Sequence, residues 1–296
     1  MRLPDLALLL LCCIVWGLNL PLTRVLVGEI PPVLSAALRF AGIALLLIPF
    51  LRPVPRQWGT VIAVALLIGG LHFALLFLGL ASAPASSVAI VGQLGLPMVT
   101  VMSIIFLKER VHAWRLVGMA LAFAGVMIIL WKPGGFTLAA GLLFVVASAF
   151  VASAGSILMK RMEPLPALQL QAWVGLISVA PLLALSAVTE TGQVEAMAGA
   201  PWWAWAILAF SIVVVSIFGH SAYYQLLKRY DITLLAPLTL LTPVVAVITG
   251  VIWLDEPLTW QLLAGGAVTL LGVGLVAMRQ NKVLDETAMA QTRAFS

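Results

Sequence analysis

Leu107-Lys108-Glu109-Arg110 closes one apolar run of this chain, and Leu254-Asp255-Glu256-Pro257 closes another, 147 residues later. An apolar stretch with a central proline, Pro97 or Pro243, precedes each polar turn, and a stretch with a glycine pair, Gly118/Gly125 or Gly265/Gly272, follows it. The turns and glycines keep one offset, whereas the prolines are 146 residues apart, a slip that costs little inside a lipid-facing helix. About fifty residues therefore occur twice, and the chain reads as a duplication. The architecture then depends on how many times each copy crosses a membrane, because an odd number turns the second copy over.

Composition requires a membrane. Of 296 residues, 63% are hydrophobic and 9% charged, with a mean hydropathy of +1.15, which excludes a water-soluble globular domain. The apolar runs are each about twenty residues long, the length at which a helix rising 1.5 Å per residue spans the roughly 30 Å hydrocarbon layer. Ten such runs are expected, at about 5–27, 31–51, 58–80, 85–107, 113–131, 138–160, 167–189, 203–227, 232–254 and 259–279. The expected fold is thus an all-α integral membrane protein. Its ten transmembrane helices form two inverted five-helix repeats, 1–131 and 138–279, joined by a linker at 132–137 and followed by a polar cytoplasmic tail at 280–296. The first run is too long for a cleaved signal peptide and reads as a retained helix. Cys12 and Cys13 are adjacent within it, so a disulfide framework is excluded.

Lys and Arg are retained on the cytoplasmic side of a membrane. With the N-terminus inside, thirteen of the sixteen fall there, among them Arg2, Arg52, Arg56, Lys108, Arg110, Lys160, Arg161, Lys228 and Arg229. Lys132 lies in an outer loop, and Arg24 and Arg39 near the outer ends of helices 1 and 2. The expected location is a bacterial-type inner (plasma) membrane, multi-pass, with both termini cytoplasmic. The +5 net charge reports this topology, and the scattered cations form no nucleic-acid groove. The Lys108-Glu109-Arg110 turn then faces inward and the cation-free Asp255-Glu256-Pro257 turn outward. Inverted repeats are the usual construction of secondary transporters, whose halves exchange conformations around a central site.

Trp16-Gly17-x-Asn19, Arg39-Phe40, Ala85-Ser86-Ser87-Val88-Ala89, Pro97, Leu107-Lys108-Glu109-Arg110 and the Gly118/Gly125 helix, with the second copy of that last block, carry a family resemblance. In this combination the chain resembles the EamA-type branch of the drug/metabolite transporter superfamily over nearly its whole length, and within it the bacterial amino-acid exporters. That resemblance implies an exporter of aromatic and other neutral amino acids. Helix 6 departs from the pattern, with Ser153 and Ser156 where an offset of 137 places Trp16 and Asn19.

A transport pathway is marked by polar groups that are costly to leave in lipid. All eleven acids sit at expected helix ends, in loops or in the tail, which disfavours a drug/proton antiporter built on a membrane-embedded carboxylate. His72 and His220, 148 residues apart, occupy equivalent repeat positions. Each is either a packing residue bonded to a neighbouring helix or a cavity contact, and they are the only in-membrane side chains expected to carry protons. Ser216 and Tyr223 share a helical face with His220; Trp16 and Asn19, then Gln93, then Thr239 mark further polar faces. Pro97 and Pro243 are either packing kinks or gating hinges. Arg39 either snorkels outward or turns inward to attract a carboxylate against an aromatic wall of Trp16 or Tyr223.

The expected pathway residues are therefore Trp16, Asn19, Arg39, His72, Gln93, Ser156, Ser216, His220, Tyr223 and Thr239, with Pro97 and Pro243 as hinges and neither metal nor cofactor. The expected activity is export of small metabolites, amino acids by resemblance, through alternating access driven by the substrate gradient. The expected partners are the small-molecule cargo and the lipid bilayer, with a monomer or weak oligomer as the assembly. A proton-coupled or multidrug exporter is the rival within the class. An enzyme reading lacks any catalytic motif in this sequence.

Overall fold

The computed structural model describes residues 1–108, 113–132, 135–136, 140–227, 229–230, 235 and 238–278. Glu109 and Arg110 of the first turn, part of the 132–137 linker, much of the start of the ninth expected helix and the 280–296 tail lie outside the described residues. The apolar runs form α1 (Leu3–Glu29), α2 (Pro32–Leu46), α3 (Trp58–Ser82), α4 (Ala85–Leu107), α5 (Ala113–Leu130), α6 (Ala140–Arg161), α7 (Ala167–Thr189), α8 (Trp202–Leu227), α9 (Leu241–Trp253) and α10 (Trp260–Met278). Among the described residues, eight helices are long and apolar enough to cross a membrane; α2 and α9 are shorter. A two-residue antiparallel ladder pairs Trp131–Lys132 with Gly135–Phe136. This is a multi-pass integral membrane protein.

Prolines set several of the boundaries. Pro32 lies at the first position of α2, and Pro84, Pro166 and Pro201 immediately precede α4, α7 and α8, where a missing N–H costs nothing. Pro49 ends α2 earlier than the expected residue 51, and the chain tightens into a 3₁₀ turn over Ile48–Leu51. Pro97 acts inside α4. Its ring crowds the carbonyl of Gln93, four residues back, and the helix tightens to 3₁₀ geometry over Gly92–Leu94 before resuming. The equivalent position before Pro243 is Thr239, and there a turn at Leu240 separates Leu238–Thr239 from α9.

The two opening turns share a backbone conformation that sequence alone does not display. Lys108 and Asp255, 147 residues apart, both adopt left-handed φ, 55° and 50°, an uncommon region for residues with a Cβ. A second correspondence lies in α3 and α8. Each contains a widened π-helical stretch, Ala65–Leu71 and Ser211–Gly219, and each stretch ends immediately before a histidine, His72 or His220.

Packing follows a regular scheme: α5 lies on α10, α2 on α7, α1 on α9, α6 on α4, α3 on α6 and α8 on α1. The α5–α10 contact is backbone on backbone. A Cβ added at Gly125 would stand 2.6 Å from the Gly265 carbonyl oxygen, and one at Gly118 would stand 2.8 Å from that of Gly272. The glycine pairs recognised in sequence are thus the price of close helix approach. The main apolar core draws on α2, α3, α4, α5, α6, α7 and α8, with Phe77, Leu80, Leu94 and Leu182 almost fully buried.

Candidate functional site

The side chains of α1 that carry the Trp16-Gly17-x-Asn19 pattern run along the π-helical stretch of α8. Cys12 Sγ lies 3.8 Å from the Gly219 carbonyl, Trp16 Nε1 donates to the Val215 carbonyl at 3.4 Å, and Ser211 Oγ donates to Asn19 Oδ1 at 2.7 Å. Successive contacts three or four residues apart on each helix make a continuous polar seam between antiparallel partners. Gly17 faces the other way, where a Cβ would meet Val245 Cβ at 2.6 Å. The tryptophan thereby presents its ring to His220 and Tyr223, at centroid distances of 5.4 and 5.3 Å.

Across from this aromatic cluster, α2 holds Arg39. Its guanidinium does not snorkel: the residue is 3% exposed. Nε and Nη2 donate to Ser216 Oγ at 3.3 and 2.9 Å, and Ser216 Oγ in turn donates to the Ser211 carbonyl at 2.9 Å. The cation lies 5.0 Å from the centre of the Phe73 ring, a cation–π contact.

These groups border a cavity of about 530 Å³, within the range of small-molecule sites. One part of its wall comprises Arg39, Phe73, Ser216 and His220. Apolar side chains of α2, α3 and α7, including Ile43, Ile68 and Val174, form its sides, and it extends past Tyr223 to Met162, Pro164 and Leu165 in the α6–α7 connection. Among the described residues, Arg39 is the one charged side chain in this lining, and no carboxylate borders it. Among the described residues, no group of three His, Cys, Asp or Glu side chains converges as a metal site.

The sequence profile of the EamA-like transporter family matches residues 4–131 and again 139–278. The chain belongs to the EamA-like transporter family. It is a membrane transporter and not an enzyme. A protein of Salmonella typhimurium named a probable amino-acid metabolite efflux pump is 30% identical over 90% of this chain and 92% of its own length. One of the same name from Escherichia coli is 28% identical over 91% of this chain and 93% of its own length. A solved crystal structure superposes with a TM-score of 0.63 at 20% identity, covering 96% of this chain and 99% of that one, a likeness of fold.

In this EamA-like transporter the expected pathway residues divide. Arg39, Ser216, His220 and Tyr223 share the cavity wall, and Trp16 stands behind the last two. Asn19 is buried in the α1–α8 seam. His72 does not line the cavity: with a proton on Nδ1, its ring donates to the Ser148 carbonyl at 3.1 Å, and Ser148 Oγ donates to the His72 carbonyl at 3.0 Å. Ser156 bonds back to Ala152 of its own helix, while Ser153 reaches the Gly95 carbonyl of α4 at 3.1 Å. Gln93 and Thr239 are half-buried at the two helix interruptions and do not border the cavity. Buried Pro97 and Pro243 stand beside those interruptions.

Sequence reasoning missed three elements. Gln171 of α7 lines the cavity. Phe73 seats the arginine. Glu190 and Glu256 cap helices: Glu190 accepts from the Val33 and Leu34 amides at 2.7 and 3.0 Å, and Glu256 from those of Ala85 and Ser86 at 2.5 and 2.9 Å. Arg24 stands 3.8 Å from Glu256 and donates to the Leu80 and Ala83 carbonyls at the end of α3. The only available signal for these acids was their place at helix ends.

Proposed function

We propose that this chain exports aromatic and other neutral amino acids from the cytoplasm across a bacterial-type inner membrane, by alternating access around the cavity bordered by Arg39, His220 and Tyr223. Ten helices cross the membrane as two inverted five-helix repeats with both termini cytoplasmic. The match of one family profile to both halves supports this arrangement. So do the shared left-handed turns, the paired π-helical stretches and a packing scheme that is unchanged when α1–α5 are exchanged with α6–α10. With this orientation the cavity opens to the cytoplasm through the α6–α7 connection, and the face carrying Glu190 and Glu256 is closed.

The cavity carries the functional reading. It is large enough to hold an amino acid and largely apolar, and among the described residues its lining holds one cation and no carboxylate to exchange protons. Transport then follows the cargo gradient, and a single chain contains the complete cavity, so the monomer is the working unit. The relatives named as amino-acid metabolite efflux pumps point to the same cargo class. Purified protein in liposomes is expected to equilibrate labelled amino acids without an imposed ion gradient. Strict dependence on a proton gradient would refute the gradient-driven mechanism and make His220, the histidine in the cavity wall, the coupling group.

A further inference from the structure

Two side chains that line the cavity each hold a buried polar atom without a partner, and a small rotation of either side chain is needed to bring that atom to the cavity. Arg39 Nη1 is buried and makes no hydrogen bond, and neither does Gln171 Oε1 on the neighbouring α7. One is a donor on a permanent cation and the other an acceptor, and both belong to an otherwise mostly apolar lining. An unpaired buried charge is costly, and a hydroxyl with a ring face offsets that cost only in part. Among the described residues, no carboxylate forms an ion pair with Arg39; Ser216 and Phe73 are its partners. An anion entering the cavity would supply the missing counter-charge.

The geometry points to a receptor for a free zwitterion: Arg39 takes the carboxylate of an α-amino acid and Gln171 Oε1 takes its ammonium, while the cargo side chain lies against Ile43, Ile68 and Val174. This rests on the amino-acid export proposed above and adds which ends of the cargo are read. The site rejects molecules lacking either charge because each would leave one buried group unpaired. The wall of Ile43, Ile68 and Val174 makes no hydrogen bond to the side chain, so it accepts side chains by size.

The test uses full-length protein in liposomes and measures exchange of labelled L-phenylalanine against three unlabelled competitors: phenylalanine, phenylalaninamide without the carboxylate, and N-acetylphenylalanine without the ammonium. For the wild type, each analogue is expected to compete at least about tenfold more weakly than phenylalanine. In Arg39→Gln the handicap of the amide shrinks to within about threefold while that of the N-acetyl compound persists, and Gln171→Leu does the reverse. Equal competition by all three compounds at the wild type overturns the receptor, as do variants that keep the wild-type order. If neither variant is recovered folded, the wild-type series decides alone. Wild-type vesicles that exchange no labelled amino acid overturn the export reading and the receptor with it, whereas exchange without discrimination overturns the receptor only.

Discussion

His72 and His220 occupy equivalent places in the sequence, each immediately after a π-helical stretch, yet their surroundings differ. The His72 ring is held between helices by Ser148, so its loss removes the Nδ1 hydrogen bond that helps fasten α3 to α6. The His220 ring faces the cavity and rests on Trp16. Substitution is therefore expected to separate two properties. His72→Ala should lower thermal stability in detergent by about 1–3 kcal/mol, the cost of stranding its buried partners, with the KM for exchange nearly unchanged. His220→Ala should raise KM by about tenfold, the loss of one good contact, with the unfolding temperature nearly unchanged. The opposite assignment of the two phenotypes would place His72 in the pathway and make His220 a packing residue.

Among the elements, the α5–α10 pair offers the sharpest contrast between glycines. At Gly125 a Cβ would stand 2.5 Å from the Thr269 amide nitrogen and 2.6 Å from the Gly265 carbonyl, and backbone cannot rotate away as a side chain can. At Gly95 of α4 a Cβ would meet nothing within 4 Å. Gly125→Leu is accordingly expected to cost about 1–3 kcal/mol through overpacking, and Gly95→Ala to be neutral or to gain up to about 1 kcal/mol. Thermal unfolding of the two purified variants checks both; equal stability would mean that α5 and α10 do not meet at these glycines. This contact was legible beforehand because spacing and residue type both encode it. The π-helical stretches were not legible: Ala65–Leu71 and Ser211–Gly219 contain no residue that forces a wider turn, and nothing in their sequence distinguishes them from ordinary helix. The early end of α2 was written in Pro49, but the continuing apolar run concealed it.

For the whole molecule, sequence conveyed the duplication and the polar face of α8, because both recur at regular spacing. It did not convey that Arg39 meets Ser216, 177 residues away, or that Gln171 shares their cavity, since no periodicity links residues on different helices. Nor did it show how the two ends of the molecule differ. At one end the cavity reaches the α6–α7 connection. At the other, α1 and α9 close over the α3–α4 turn: Arg24 takes the last carbonyls of α3, Glu256 takes the first amides of α4, and the two side chains face one another. Both charges complement the helix ends they touch, and charge-assisted bonds of this kind contribute about 1.5–3 kcal/mol each. The alternating access proposed above requires this end to part when the other closes, and on that proposal its strength sets the balance between the two states. Glu256→Gln removes the charge while keeping one acceptor. A weakening of about 1.4 kcal/mol would shift that balance tenfold toward the state open at this end. With Cys12 and Cys13 replaced by alanine and a cysteine placed at Ile68 in the cavity wall, a membrane-impermeant maleimide applied from the Glu256 side should label the Glu256→Gln protein several-fold faster than its parent. Equal labelling from that side would show that the Arg24–Glu256 contact fastens helices without governing access.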